Sequence, residues 1–183
     1  MPAPDTLLLE PWLARWRLTP DGAAFSTHHA ALMPVRQGAR AAMLKLTEQP
    51  DEIRGAEVMA WWAGDGAAPV LNRAGGALLL ARAEGTRSLA DMARGGQDDL
   101  ASRVICETAR HLHRKRPNPP KLTPLTAWFR DLAPAAATHA GVLAASHAAA
   151  SELLAAPQDP VVLHGDLHHD NILDFGAEGW RAI

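Results

Sequence analysis

The sequence predicts an α+β protein built in two parts, strands first and helices after. Three observations carry this: short apolar segments alternate with turn residues through about residue 80, helical spacing takes over after Gly85, and Ala81 to Gly85 lies between as a hinge. Trp16-Arg17-Leu18 leads into the turn Thr19-Pro20-Asp21-Gly22, Ala30 to Val35 is apolar and stops before Gln37-Gly38, and Ala41 to Leu46 is apolar with Lys45 inside it. These read as consecutive antiparallel strands. Asp51 to Trp62 repeats Ile53, Val58, Met59 and Trp62 at helical spacing until Gly64-Asp65-Gly66 ends it. Val70-Leu71 and Ala77 to Leu80 are two further strands, with Asn72 to Gly76 as their turn.

In the second part, Asp98 is placed to cap a helix carrying Leu100, Val104, Ile105, Thr108 and Leu112 on one face, and Pro117 ends it. Pro117-Asn118-Pro119-Pro120 is a connector, followed by helices over Leu125 to Leu132 and Ala135 to Ala155. The alanine-rich stretch Ala133 to Ala156 reads as helix with a thin apolar face of Val142, Leu143, Leu153 and Leu154. A cleft between the two parts is the natural place for a ligand.

With 183 residues and 48% hydrophobic content the chain can build a real core. The 18 basic and 20 acidic residues leave no global attraction toward nucleic acid or an anionic membrane. The one cluster of basic residues, Arg110 to Arg116, lies at a helix C-terminus, where cations suit the helix dipole, and has no aromatic platform for bases. A nucleic-acid partner is not expected. The single Cys106 cannot form an internal disulfide and is expected in the core. No basic leader precedes an apolar segment and no apolar run approaches membrane-spanning length, so a soluble, cytoplasmic chain without a membrane partner is expected.

Val161-Val162-Leu163 is strand-like and stops at His164-Gly165-Asp166-Leu167-His168-His169-Asp170-Asn171, before a second apolar pair, Ile172-Leu173. The spacing His-x-Asp-Leu-x-x-x-Asn is that of a kinase catalytic loop, with Gly165 where protein kinases carry arginine. Phosphoryl transfer needs a carboxylate at the acceptor hydroxyl and, a turn away, an oxygen for the magnesium that neutralises the phosphates. Asp166 suits the first role and Asn171 the second. His164 suits orientation of the loop, since an imidazole can donate and accept at once. Two other readings compete: a zinc site from His164, His168, His169 and Asp170, and a solvated polar turn. Against zinc, adjacent His168 and His169 cannot both face one ion in a regular element. Upstream, Ala42-Met43-Leu44-Lys45 is similar to the strand lysine of kinases, followed by a helix carrying Glu52 and Glu57. Such a lysine reaches the α- and β-phosphates while a helical glutamate holds it. Glu52 is preferred as that glutamate, with Glu57 left open.

The chain resembles the aminoglycoside phosphotransferase superfamily, most of all the branch of streptomycin 6-kinases and hydroxyurea phosphotransferases. The residues that carry the resemblance are "LHGDLHHDNIL" with Trp180 after it, "EIRGAEVMAWWAGDGAAPVL" from Glu52 to Leu71, and "DGAAFSTHHAALMPV" from Asp21 to Val35. It implies a protein-kinase-like two-lobe fold: residues 1–83 as a nucleotide-binding lobe of antiparallel sheet plus one helix, and residues 84–183 as an incomplete helical lobe with the catalytic loop. It implies ATP and Mg2+ as cofactors and an antibiotic hydroxyl as acceptor. The turn Gly22 to Thr27 would cover the phosphates through backbone N–H groups of Phe25 and Ser26, and the hinge backbone at Ala81 to Ala83 would bind adenine. One departure stands out. In this family the strand after the loop leads to a magnesium-binding aspartate, and here Trp180-Arg181-Ala182-Ile183 is the last segment. The resemblance therefore implies a C-terminally truncated kinase of doubtful activity. The alternative is a non-catalytic remnant that binds nucleotide or a protein partner.

Overall fold

The structure, a computed structural model, describes residues 4–183. The chain divides into two compact units: residues up to Pro119 together with Leu163–Ile183, and Pro120–Val162.

The first unit opens with helix α1 (Pro4–Trp16) and an antiparallel sheet made of β1 (Thr19–Pro20), β2 (Phe25–Ser26), β3 (Ala31–Gln37), β4 (Arg40–Leu46), β5 (Val70–Ala74) and β6 (Ala77–Ala81). The strand order is β1-β3-β4-β6-β5, with β2 also on the β3 edge. β1 and β2 are one edge strand interrupted by Asp21 to Ala24, β1 meeting Val35 and Arg36 and β2 meeting Ala31 and Leu32. Period-2 alternation divides the sheet. One face presents Ala31, Met33, Val35, Ala42, Leu44, Ala77 and Leu79 to α1, whose Leu9 and Trp16 are buried there and whose Trp12 and Leu13 pack alongside. Each large apolar side chain so enclosed contributes about 1.5–3 kcal/mol. The opposite face carries Leu32, Lys45 and Leu78, directly paired across β3, β4 and β6.

Helix α2 (Pro50–Trp62) starts where Pro50 needs no N–H partner and Asp51 and Glu52 complement the positive end of the helix dipole. Its Ala56, Val58, Met59 and Trp62 are buried, and it stops at Ala63, held left-handed at φ 52°. After the sheet come a short α3 (Leu89–Met92), a kink at Ala93–Gln97 where Gly96 takes φ 84°, and α4 (Asp98–Leu112). Leu163–Ile183 completes the unit with the hairpin β7 (Ile172–Asp174) and β8 (Trp180–Ala182). A buried cluster of Leu89, Ala101 and Ile172 joins α3, α4 and β7. The second unit holds α5 (Leu125–Trp128), α6 (Leu132–His139) and α7 (Gly141–Ala155). Antiparallel sheet and helices make the α+β pattern consistent with a kinase-like two-lobe fold. Among the described residues no helix is long and apolar enough to cross a membrane.

Several expectations need correction. The segment before Arg17 is helical, and Thr19–Pro20, expected as a turn, pairs with β3. The long helix expected over Ala135 to Ala155 is broken at Ala140 and Gly141, both at positive φ, because the glycine lets the backbone leave the helical region. Val161 to Leu163, expected as strand-like, is in no strand. Cys106 is exposed, on the outer side of α4 from Ala101, Thr108 and Leu112.

Two glycines report on this packing. Gly55 lies inside α2 with open space where a methyl group would stand, nothing lying within 4 Å, whereas a Cβ on Gly76 would run into the Thr47 carbonyl. In urea denaturation, Gly55→Ala is expected to raise stability by about 0.5–1 kcal/mol through helix propensity. Gly76→Ala should lower it, and equal effects of the two would contradict the packing described.

Candidate active site

The loop after Leu163 is organised by His164. Its Nε2 lies 3.0 Å from the carbonyl of Ile183, which can only accept, so Nε2 carries the proton. Its Nδ1 accepts the backbone N–H of Asp166 at 3.3 Å. The imidazole is therefore neutral, in one tautomer, and its burial holds its pKa below the ordinary value. Gly165 between them sits at φ 88°, a conformation strained for a residue with a Cβ, which accounts for glycine where protein kinases carry arginine. With both ring nitrogens engaged, His164 has no lone pair for a zinc ion, which removes that reading's first ligand.

Asp166 and Asn171 meet directly. Asn171 Nδ2 donates to the Asp166 carbonyl at 2.9 Å and to its Oδ2 at 3.0 Å. Both amide hydrogens are thus spent within the loop, and Asn171 Oδ1, a neutral hard oxygen, is left for a cation. His168 starts the single turn His169–Asn171 by accepting the Asp170 N–H on Nδ1 at 3.2 Å. Asp166 is well exposed, and its Oδ1 takes part in none of these bonds.

The hairpin behind the loop is anchored by a buried carboxylate. Asp174 is 4% exposed and receives Arg87 Nε at 2.8 Å, Arg87 Nη2 at 2.7 Å, and the backbone N–H groups of Arg87 and Gly176. The Arg87 guanidinium holds this carboxyl well below the usual carboxylate range. Arg87 also lies over the Trp180 ring, 4.9 Å from its centroid. Gly85 passes so close to Asp174 that a Cβ would overlap its carboxylate. Asp174-Phe175-Gly176 spells the D-F-G of protein kinases, but with its carboxylate saturated by Arg87 and backbone donors, Asp174 is a structural anchor.

On the sheet, Lys45 Nζ forms an ion pair with Glu52, each side chain about one-third exposed. Glu57 pairs instead with Arg73 at 3.3 Å. Phe25, Leu32, Lys45 and Leu78 stand directly opposite one another on successive strands, so Phe25 shares the Lys45 face, while Ser26, opposite Ala31, belongs to the other. At the hinge, the Ala81 N–H donates to the Pro69 carbonyl at 2.9 Å, and Pro69 has no N–H to return the bond. Arg82 N–H donates to Ala41, and the Arg82 guanidinium donates to the Asp21 carboxylate, tying the turn before Phe25 to the hinge.

A family model described as aminoglycoside/hydroxyurea antibiotic resistance kinase matches residues 15–183. The chain belongs to that family. Among curated relatives, the streptomycin 3''-kinase of Klebsiella pneumoniae is 51% identical over 93% of this chain and 64% of its own length. The streptomycin 6-kinases of Streptomyces griseus and Streptomyces glaucescens are 33% and 32% identical over 92% and 96% of this chain, and 58% and 60% of their own lengths. The chain thus spans between 58% and 64% of the length of these relatives.

In this family member the structure brings His164, Asp166 and Asn171 together and pairs Lys45 with Glu52, all within one compact unit. Among the described residues, no hydrogen bond or ion pair joins Phe25, Ser26, Ala81 or Ala83 to those five. Reading the sequence missed Trp62, whose ring stacks on His164, and the Arg87–Asp174 anchor. The partners in the anchor are 87 residues apart and leave no local pattern.

Asp174 and His164 each make the fold acid-sensitive. The contribution of Asp174, whose folded value is depressed, is complete above its unfolded pKa of about 3.9 and is lost as pH falls through the folded value. That of neutral His164 is complete above about 6.5 and declines as pH falls below it. Arg87→Met should lower the melting temperature by several degrees at pH 7, and the gap to wild type should shrink as pH drops below about 4. A gap independent of pH would contradict the role given to the Asp174 carboxylate.

Proposed function

We propose that this chain binds MgATP and transfers its γ-phosphoryl group to a hydroxyl of a streptomycin-like aminoglycoside, a modification that confers resistance. The observation that carries this reading is the Asp166–Asn171 pair, locked by a neutral His164 in the same compact unit as the Lys45–Glu52 ion pair. In this reading residues 1–83 are the nucleotide-binding lobe and residues 84–183 carry the catalytic loop. A cytoplasmic site of action follows from ATP as donor.

The hydroxyl of the acceptor hydrogen-bonds to Asp166 Oδ1, the carboxylate oxygen not engaged by Asn171, which orients it and receives its proton as it attacks the γ-phosphorus. Lys45, held by Glu52, binds α- and β-phosphate oxygens. Backbone N–H groups of Phe25 and Ser26 cover the phosphates, and the backbone of Ala81 and Ala83 binds adenine. Asn171 Oδ1 would hold Mg2+, and that ion would supply neutralisation of the charge on the phosphates and leaving oxygen. The loose transition state leaves little covalent chemistry to the protein, so positioning and charge dominate.

The higher identity to the 3''-kinase than to the two 6-kinases favours the 3''-hydroxyl of streptomycin as acceptor. Incubation with MgATP and streptomycin should yield a singly phosphorylated streptomycin by mass spectrometry, with phosphorus NMR placing the group, and hydroxyurea is offered in parallel as the alternative acceptor. Asp166→Asn should cut kcat by about 10²–10⁴ while leaving the KM for ATP within a few-fold. Nucleotide binding without transfer to either acceptor would refute the enzyme reading and favour a binding protein.

A further inference from the structure

Helix α2 has work at both ends. Glu52 in its first turn holds Lys45, and Trp62, ten residues and about 15 Å further along, is its last residue. Trp62 is 2% exposed. Its indole lies nearly parallel to the His164 imidazole, at 7° between planes and 5.9 Å between centroids. Its Nε1–H donates to the Leu112 carbonyl at 3.1 Å, one of the acceptors that the end of α4 leaves without a helical partner. The chain following Trp62 reinforces the same junction. Gly66 O accepts the Ala182 N–H at 2.9 Å, Ala68 N–H donates to Ala182 O at 2.7 Å, and Arg181 reaches the Gly64 carbonyl. Those bonds fix β8, which leads directly into the Ile183 oxygen that accepts the hydrogen bond from His164 Nε2–H.

We infer that Trp62 is a positioning residue for phosphoryl transfer: its buried indole fixes the plane of His164, and through the Nδ1 bond the Asp166 backbone, to the helix that also holds Glu52 against Lys45. This rests on the reading of Asp166 as the group that orients the acceptor. A ring clamped on one face by Trp62 and at Nε2 by Ile183 has no freedom to flip, so Nδ1 stays aimed at the Asp166 N–H. Tryptophan is required in two respects: the flat ring for His164 and the N–H for Leu112. Phenylalanine supplies only the first and leucine neither.

The test uses imidazole NMR on the whole chain, together with kinetics. In wild type, the indole ring current should move the carbon-bound protons of His164 upfield of those of the other eight histidines, and the 15N shifts should report a single Nε2–H tautomer. Trp62→Phe should keep that tautomer and most of kcat despite lower stability. Trp62→Leu should give averaged tautomers and a kcat lowered about 10–100-fold, with the KM for ATP within about twofold. An unshifted His164 in wild type overturns the inference even if Trp62→Leu does not fold. So does a folded Trp62→Leu chain with wild-type tautomer and kcat. Loss of the single tautomer in Trp62→Leu in a chain that transfers no phosphate supports the clamp while rejecting the reading of Asp166.

Discussion

The ion pair between Lys45 and Glu52 is the interaction on which the site depends, because it joins α2 to the sheet by charge, as Glu57–Arg73 also does, and is the one that holds Lys45. Lys45 stands on a strand between apolar neighbours, where an ammonium without a partner is costly to keep. Glu52 relieves that cost and also complements the positive end of its own helix. The pair fixes the approach of α2 to the sheet face opposite α1, and the far end of the same helix then fixes Trp62. This charge pair thus holds Lys45, the proposed phosphate-binding lysine, and contributes to the placement of the loop from His164 to Asn171.

Within that loop, order comes from a neutral imidazole and not from an ion pair. A cationic His164 would present two donors, one facing the Asp166 N–H, so the observed bonds persist only while the ring is uncharged. Burial supplies that bias. Asp166 is left exposed, with one carboxylate oxygen held by Asn171 and the other open to an acceptor. The buried acid of this region, Asp174, is the one saturated by Arg87, and it ties β7 to the segment entering α3. Exposure and satisfaction separate the two carboxylates into a chemical role and an architectural one, although the letters around Asp174 resemble a metal-binding motif.

Much of this was legible in the sequence where the signal is local. Apolar segments bounded by turn residues marked β3, β4 and β6, and helical spacing marked α2 and α4, because burial of one helix face writes a period into the chain. Leu9, Trp12, Leu13 and Trp16 also follow helical spacing, but Pro11 lies inside that helix and reads as a breaker. β1 and β2 have two residues each, too short for any periodicity, and exist only because β3 offers an edge. The motif residues of the site were visible since His164, Asp166 and Asn171 are close in sequence, and Lys45 and Glu52, seven positions apart, lie at a strand end and a helix start. The Trp62–His164 stack joins distant segments, and a buried tryptophan in an amphipathic helix looks like any core residue until the fold shows what it touches.

The most direct test of the account is calorimetric titration of the chain with MgATP, comparing wild type with Lys45→Met. A site built on Lys45 should bind nucleotide in wild type and lose at least about tenfold in affinity, roughly 1.4 kcal/mol, when the ammonium is removed. Equal affinity in the two chains would contradict the central claim that the Lys45–Glu52 pair is the phosphate-binding element.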